Sequence, residues 1–239
     1  MKLTITFDNE HIVLPVRYKH LIQGWIYSNF PEDGYGKFIH DEGYQADGKR
    51  FKMFVFSDLQ GEFEIHRELM IFRKKTKLEI ASLSEEFIRH IYQNLMLTQA
   101  IQLKDQILHV DSLRISEVPH FFVGERDFLV ATISPVTAYR MRDGKFDYFS
   151  PETHEFLEIC KQNLTRKNQA LFHEGEPQFE IIEVLKAKKR IIYFKNTFYI
   201  AYRTVLKIQA NYRAMQLILN TGLSSKASAG LGMFKIVNE

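Results

Sequence analysis

The 239-residue chain contains one cysteine, six prolines and one tryptophan, and its formal charge is only +3. Each shortage excludes something. The lone thiol, Cys160, makes neither an internal disulfide nor a cysteine metal cage, which points to a reducing, cytoplasmic setting. No apolar run approaches the roughly 18 residues of a membrane span, and "MKLTITFDNE" lacks the pattern of a secretory leader. Nothing is rich enough in proline, glycine or serine to read as a linker or a low-complexity tract. A charge this small indicates a polyanion partner only if it is clustered. The nine histidines show no metal-ligand spacing, the acids form no two-metal site, and no Gly-x-Ser-x-Gly elbow occurs. No metal or cofactor is therefore expected.

What is present is apolar and aromatic surface, 45% and 13% of the residues, enough for one or two packed cores. In the first half the hydrophobic period predicts strands at about 2–7, 50–57, 61–81 and 106–117, with helices at about 15–29 and 84–97. Tyr18, Leu21, Ile22, Trp25 and Ile26 form the stripe of the first helix, which Pro31 ends. The second helix starts at Ser84, with Glu85 and Glu86 suited to its dipole. The second half repeats the order. A strand at about 127–134 precedes a helix opened by Ser150-Pro151 that carries Phe156, Leu157, Cys160 and Leu164. Strands at about 179–194 and 197–209, a helix at about 211–221 and a last strand from Leu231 to Val237 complete it. The pattern is βαββαβ twice: an α+β protein of two tandem ferredoxin-like, RRM-like units, residues 1–122 and 123–239. Each sheet carries helices on one face and leaves the other for a partner. The halves share architecture and no sequence similarity.

Three features could carry chemistry. Between the last helix and the last strand runs "GLSSKASAGLG", residues 222–232. Gly222 sits where a helix C-cap glycine belongs, and the pattern is neither a Walker loop nor a dinucleotide fingerprint. Backbone N–H groups of such a turn, with Ser224, Ser225, Ser228 and Lys226, can also cradle phosphates. Cations cluster in "KAKKRIIYFK", where period 2 puts Lys186, Lys188 and Arg190 on one strand face, with Lys189, Lys195, Tyr193 and Phe194 beside them. A solvated, aggregation-proof edge and an RNA groove are both open there. A second cluster, "FRKKTK" at 72–77, reads as a guarded sheet edge. Finally, His40 lies in the polar "GKFIHDEGY", read as a loop. Tyr27 falls off the apolar stripe of its helix beside His20 and Gln23, and Lys52 heads the apolar strand "FKMFVFS".

These residues resemble a known family, the CRISPR repeat-processing endoribonucleases of the RAMP superfamily, over essentially the whole chain. The resemblance rests on "LIQGWIY", "FIHDEG", "KRFKMFVFSDL", "ATISPV" and the C-terminal loop. In the family that loop is Gly-apolar-Gly, five residues including a basic one, then Gly-apolar-Gly. Here Ser224 replaces the second glycine, while Lys226 and Gly230-Leu231-Gly232 stand as expected. The resemblance implies metal-independent cleavage of CRISPR precursor RNA by the ribose 2′-OH, leaving 2′,3′-cyclic phosphate and 5′-OH ends, to make guide RNAs for antiviral defence. By position it implies His40 for proton transfer, Lys52 for charge on the phosphorane and Tyr27 as an orienting group, with His20 in reserve. RNA contacts would come from Lys186, Lys188, Lys189, Arg190, Lys195, Gly222, Ser224, Ser225, Lys226, Gly230 and Gly232. Repeat RNA is the implied partner; effector-complex subunits and a homodimer are further ones, and no membrane is involved. A non-cleaving repeat-binding subunit is the alternative, and a plain ferredoxin-like scaffold is the reading outside RNA.

Overall fold

A computed structural model describes residues 1–31, 34–117 and 120–237. The N-terminal lobe runs β1 (Lys2–Phe7), β2 (His11–Pro15), α1 (Lys19–Ser28), α2 (Gly34–Lys37), a π-helical turn (Phe38–Glu42), β3 (Tyr44–Ala46), β4 (Lys49–Phe51), β5 (Phe54–Phe56), β6 (Gln60–His66), β7 (Leu69–Ser82), α3 (Glu85–Thr98), β8 (Ala100–Leu103) and β9 (Gln106–Ser116). The C-terminal lobe runs β10 (Glu125–Thr132), β11 (Tyr139–Arg142), β12 (Lys145–Tyr148), α4 (His154–Phe172), β13 (Phe179–Phe194), β14 (Thr197–Asn211), α5 (Tyr212–Thr221), a 3₁₀ turn (Ala227–Ala229) and β15 (Phe234–Ile236). In the first sheet β9, β1 and β7 are neighbours, with β5 and β6 on the far side of β7. In the second the order is β13-β14-β10-β15. Numbering the four βαββαβ strands of each unit in chain order, both sheets read 4-1-3-2, the ferredoxin-like arrangement expected from the hydrophobic period.

Several elements differ from that expectation, each for a local reason. Residues 11–15 pair with β7 as a strand that the hydrophobic period did not mark, and the first helix, expected from about 15, begins at Lys19. The long strand at 61–81 is a hairpin, β6 and β7, turning at Arg67 with φ 55°. That left-handed position is occupied without the glycine or asparagine that marks such turns. The strand at 50–57 breaks where Met53 adopts φ 52°, so β4 pairs with β3 while β5 pairs with β7. Ser150 is not the N-cap of its helix. Thr153 is, its hydroxyl accepting from Phe156 N–H, while Ser150 and Pro151 form the preceding turn. The last strand is shorter, Phe234–Ile236. "FRKKTK" lies within β7, which has paired strands on both sides, and is no edge. Its cations meet carboxylates instead: Arg73–Glu64, Lys74–Glu62, Lys75–Asp111 and Lys77–Glu79.

Each lobe has its own core. Leu3, Ile5, Ile22, Ile26, Phe56 and Phe87 anchor the first; Val130, Phe156, Leu206, Ile208, Met215 and Ile218 anchor the second. Phe122, at the end of the first unit as read from sequence, packs in the second core. A third small cluster joins the lobes: Val55 and Ala81 from the first against Ile133 and Met233 from the second. β14 changes its covered face midway. Tyr199 and Ala201 are buried on one side, where Tyr139 and Phe146 of the β11–β12 hairpin meet Tyr199. Thr204, Leu206, Ile208 and Ala210 are buried on the other. The free face of the second sheet is thus partly covered near the β13–β14 turn.

The glycine-rich loop is part of the lobe junction. Gly222, Ser224, Gly230 and Gly232 are buried. Ser224 Oγ accepts from Thr137 N–H at 3.2 Å and donates to Thr137 C=O at 3.1 Å. Lys19 Nζ, only 5% exposed, donates to Gly230 C=O at 2.7 Å, and Gln23 Nε2 donates to Ser228 C=O at 2.7 Å. Lys19 is also ion-paired to Asp58, which Arg203 of β14 binds through its other oxygen. Gly230 has φ 77°, and a Cβ there would stand 2.3 Å from the Phe56 ring. Left-handed backbone strain and overpacking together predict that Gly230→Ala loses roughly 2–4 kcal/mol of stability. The midpoint of thermal unfolding should then fall by on the order of 5–10 °C; an unchanged midpoint contradicts this packing.

Candidate active site

Helix α1 has a third face besides its core stripe and its loop contacts. Positions 20, 23 and 27 follow the helical repeat, so His20, Gln23 and Tyr27 line one side. They open on a cleft of about 990 Å³ that also includes Lys37, His40 and Lys195. Opposite α1 stands the π-helical turn, closed by Gly43 N–H donating to Phe38 C=O at 2.6 Å. His40 is therefore held in a wide helical turn, and not in the irregular loop read from sequence. Such turns recur at functional sites because the extra residue aims one side chain outward. Gly43 makes the turn possible, with φ 66° and ψ −179°, a region essentially reserved for glycine. A Cβ there would lie 2.6 Å from Phe51 C=O and 3.3 Å from Lys52 Cδ.

The structure brings Tyr27 and His40 together, ring centroids 5.1 Å apart and edge to face at 68°. Tyr27 leans on Phe54 in the same way, at 5.8 Å. Burial pushes its phenol up to about 12, so at neutral pH Tyr27 is a hydrogen-bond donor and no base. His40 is exposed, with Nδ1 2.7 Å from Asp41 Oδ1. The hydrogen bond from His40 holds the Asp41 carboxyl below its usual range, so it accepts. Nδ1 then carries the proton and Nε2 is left as the basic nitrogen. His20 is set the same way, its Nδ1 2.6 Å from Arg17 C=O. Lys52 reaches the site indirectly. Its Nζ donates to His40 C=O at 2.7 Å, and its stem lines an adjoining cleft with Ser225 and Lys226. Desolvation is the main cause that lowers the Lys52 pKa.

The basic residues of β13 are exposed along the edge strand of the second sheet. Lys186, Lys188 and Arg190 stand opposite Val205, Arg203 and Ala201 and share one face, as period 2 requires; Lys189 is on the other. None of the four forms an ion pair among the described residues. The β13–β14 turn carries Lys195 into the His40 cleft, and Arg17 stacks on Tyr193 at 4.8 Å near that turn. Ser225 and Lys226 are half-buried at the second cleft, unlike the interior glycines and Ser224. Sequence reasoning missed Asp41, adjacent to His40, and Lys167, which is 3% exposed on α4. The second had a signal: the stripe through Phe156, Cys160 and Leu164 continues at Asn163, Lys167 and Asn168, polar residues at core positions. Among the described residues no group of three or more His, Cys, Asp or Glu could hold a metal ion, and no helix is long and apolar enough to cross a membrane.

Fold and cleft define a class, tandem ferredoxin-like proteins whose titratable side chains meet where two lobes join. The family described as CRISPR associated protein Cas6, C-terminal, matches residues 117–236, and the chain belongs to the Cas6 family. A relative from Methanocaldococcus jannaschii, "CRISPR-associated endoribonuclease Cas6 1", is 28% identical over 98% of this chain and 91% of its own. The "CRISPR-associated endoribonuclease Cas6" of Pyrococcus furiosus is 23% identical over 93% and 83%. A solved "CRISPR associated protein Cas6" superposes with a TM-score of 0.80 at 25% identity, covering 100% of this chain and 99% of that one.

The His40–Asp41 contact is directly measurable. In His40→Ala the Asp41 carboxyl loses the hydrogen bond that is the first cause of its low pKa, so it should titrate closer to 3.8. Carbon-13 NMR of the carboxyl follows this; an unmoved titration means the pair is not formed in solution.

Proposed function

We propose that the protein is an endoribonuclease that cuts CRISPR repeat RNA without a metal, using the 2′-OH beside the scissile phosphate. The observation that carries this reading is the pairing of Tyr27 and His40 on one cleft, with Lys52 tied to the His40 backbone. Family membership supports it, as do the relatives named endoribonucleases. His40 Nε2 takes the 2′-OH proton as the 2′-oxygen attacks phosphorus. The P–O5′ bond breaks, leaving a 2′,3′-cyclic phosphate on one fragment, and the departing 5′-oxygen takes a proton from water to give a 5′-OH on the other, while His40 returns its proton to solvent. Tyr27, a neutral phenol, donates a hydrogen bond to the reacting phosphate or the departing oxygen. Lys52 stabilises the extra negative charge on the phosphorane. The strand comes in along the face of Lys186, Lys188 and Arg190, with Lys189 reaching it around the edge of β13, and these contacts are to phosphates and carry no base preference. Lys195 delivers it to the cleft, and Ser225 and Lys226 hold it on the far side. Gly222, Ser224, Gly230 and Gly232 serve by shaping that wall.

Incubation with the repeat RNA of the source genome in EDTA should give one cut, and a single 2′-deoxy substitution at the cut position should block it. Persistence of the cut after that substitution refutes 2′-OH attack. His40→Ala should lower the single-turnover rate by roughly 10²–10⁴, the size expected for lost proton transfer. A ratio near one removes His40 from the mechanism. Tight binding with RNA left intact by the wild type supports the non-cleaving subunit instead.

A further inference from the structure

Beside the His40 cleft lies a smaller one of about 160 Å³, between the 50–54 segment and the glycine-rich loop. Arg50, Lys52, Lys167 and Lys226 line it together with Ser225 and Ser228. Its lining includes no carboxylate. Lys167 Nζ donates to Thr221 C=O at 2.9 Å, the last residue of α5, and to the C=O of the following Gly222 at 2.5 Å. An ammonium has three protons, so one remains for the cleft it lines. Among the described residues no acid lines the cleft with this side chain. Arg50, Lys52 and Lys226 line the same cleft, Thr221 and Gly222 offer their carbonyls, and on its own helix the titratable group that acts on it is the Cys160 thiol, which burial keeps protonated. A buried cation with no carboxylate in its cleft is costly when the cleft is empty and favourable once an anion enters.

We propose that this cleft is a second phosphate subsite, holding a phosphodiester of the bound strand next to the one at His40, with Lys167 in its lining. The inference rests on the reading of RNA as substrate and adds a residue outside every motif that pointed to it. Lys52 joins the two subsites, since it lines this cleft while its Nζ holds the His40 carbonyl. Burial lowers the Lys167 ammonium to about 7 in the free protein. A phosphate favours the charged form, so binding above pH 7 takes up a proton. Affinity is then highest below pH 7 and falls as pH rises through and beyond it.

The test is the affinity of 2′-deoxy-substituted repeat RNA between pH 6.5 and 8.5 at constant salt, for wild type, Lys167→Met and Lys167→Arg. Wild type should weaken by about tenfold over that range. Both variants should be nearly flat, with Met weak throughout. Equal slopes in wild type and Lys167→Met overturn the proposal. A second arm needs no RNA: at pH 7, inorganic phosphate should raise the melting temperature of wild type above that in chloride of equal ionic strength, and should not do so for Lys167→Met. Equal phosphate effects overturn the subsite. Failure of all three proteins to bind RNA overturns the RNA reading instead, while the phosphate arm still decides whether the subsite exists. Should Met at 167 unfold the chain, the double variant Arg50→Ala, Lys226→Ala replaces it, with loss of the phosphate effect expected and its retention contrary.

Discussion

The ammonium of Lys19 is the charge around which the two lobes are assembled. Taken out of water, it would destabilise the fold unless matched, and three partners match it: the Asp58 carboxylate, the Gly230 carbonyl and the face of the Phe56 ring at 5.7 Å. Asp58 passes the constraint to the other lobe through Arg203, and its own N–H donates to Ile133 C=O. Because Lys19 belongs to α1, the same contacts set the rotation of that helix. His20, Gln23 and Tyr27 follow from it by helical repeat. The position of the candidate active site is thus a consequence of how the lobes are joined.

The glycine-rich loop acquires a second meaning in that light. Its glycines are where backbone approaches backbone or ring too closely for a Cβ, at Gly230 against Phe56 and at Gly232 against Ser224. Its carbonyls point at α1 and its serine at the Thr137 backbone. What reaches the smaller cleft is the middle of the loop, Ser224 to Ser228. A loop that looks built for phosphates is, over much of its length, a structural joint that exposes a few polar atoms at the right place.

Charge is sorted by the fold in a way that a net value of +3 conceals. The cations of β7 are answered by carboxylates on neighbouring strands. Those of β13, together with Arg50, Lys52, Lys167 and Lys226 at the smaller cleft, form no ion pair among the described residues. Separating the two sets leaves cations without a carboxylate partner on β13 and at the smaller cleft, while Asp41 stands beside His40; unpaired cations of this kind attract a polyanion and raise its local concentration.

Period alone, 2 in the strands and 3.6 in the helices, determined the βαββαβ order of the principal strands and helices in each unit and the stripe of α1, because burial of apolar side chains on one face leaves a repeating trace in the sequence. The capping serine of α3 and the cations on one face of β13 were legible for the same reason: each depends on near neighbours in the chain. The breaks at Arg67 and Met53 were not, since neither residue advertises a left-handed backbone and only pairing with distant strands imposes it. Tertiary structure alone decided that Lys19, Asp58 and Arg203 meet and that Tyr27 is too buried to ionise near neutrality. It also decided that "FRKKTK" is neutralised inside a sheet, and that Lys167 lines a cleft shared with Lys52. Burial and electrostatics act through space, between residues that sequence leaves far apart, so no local pattern records them.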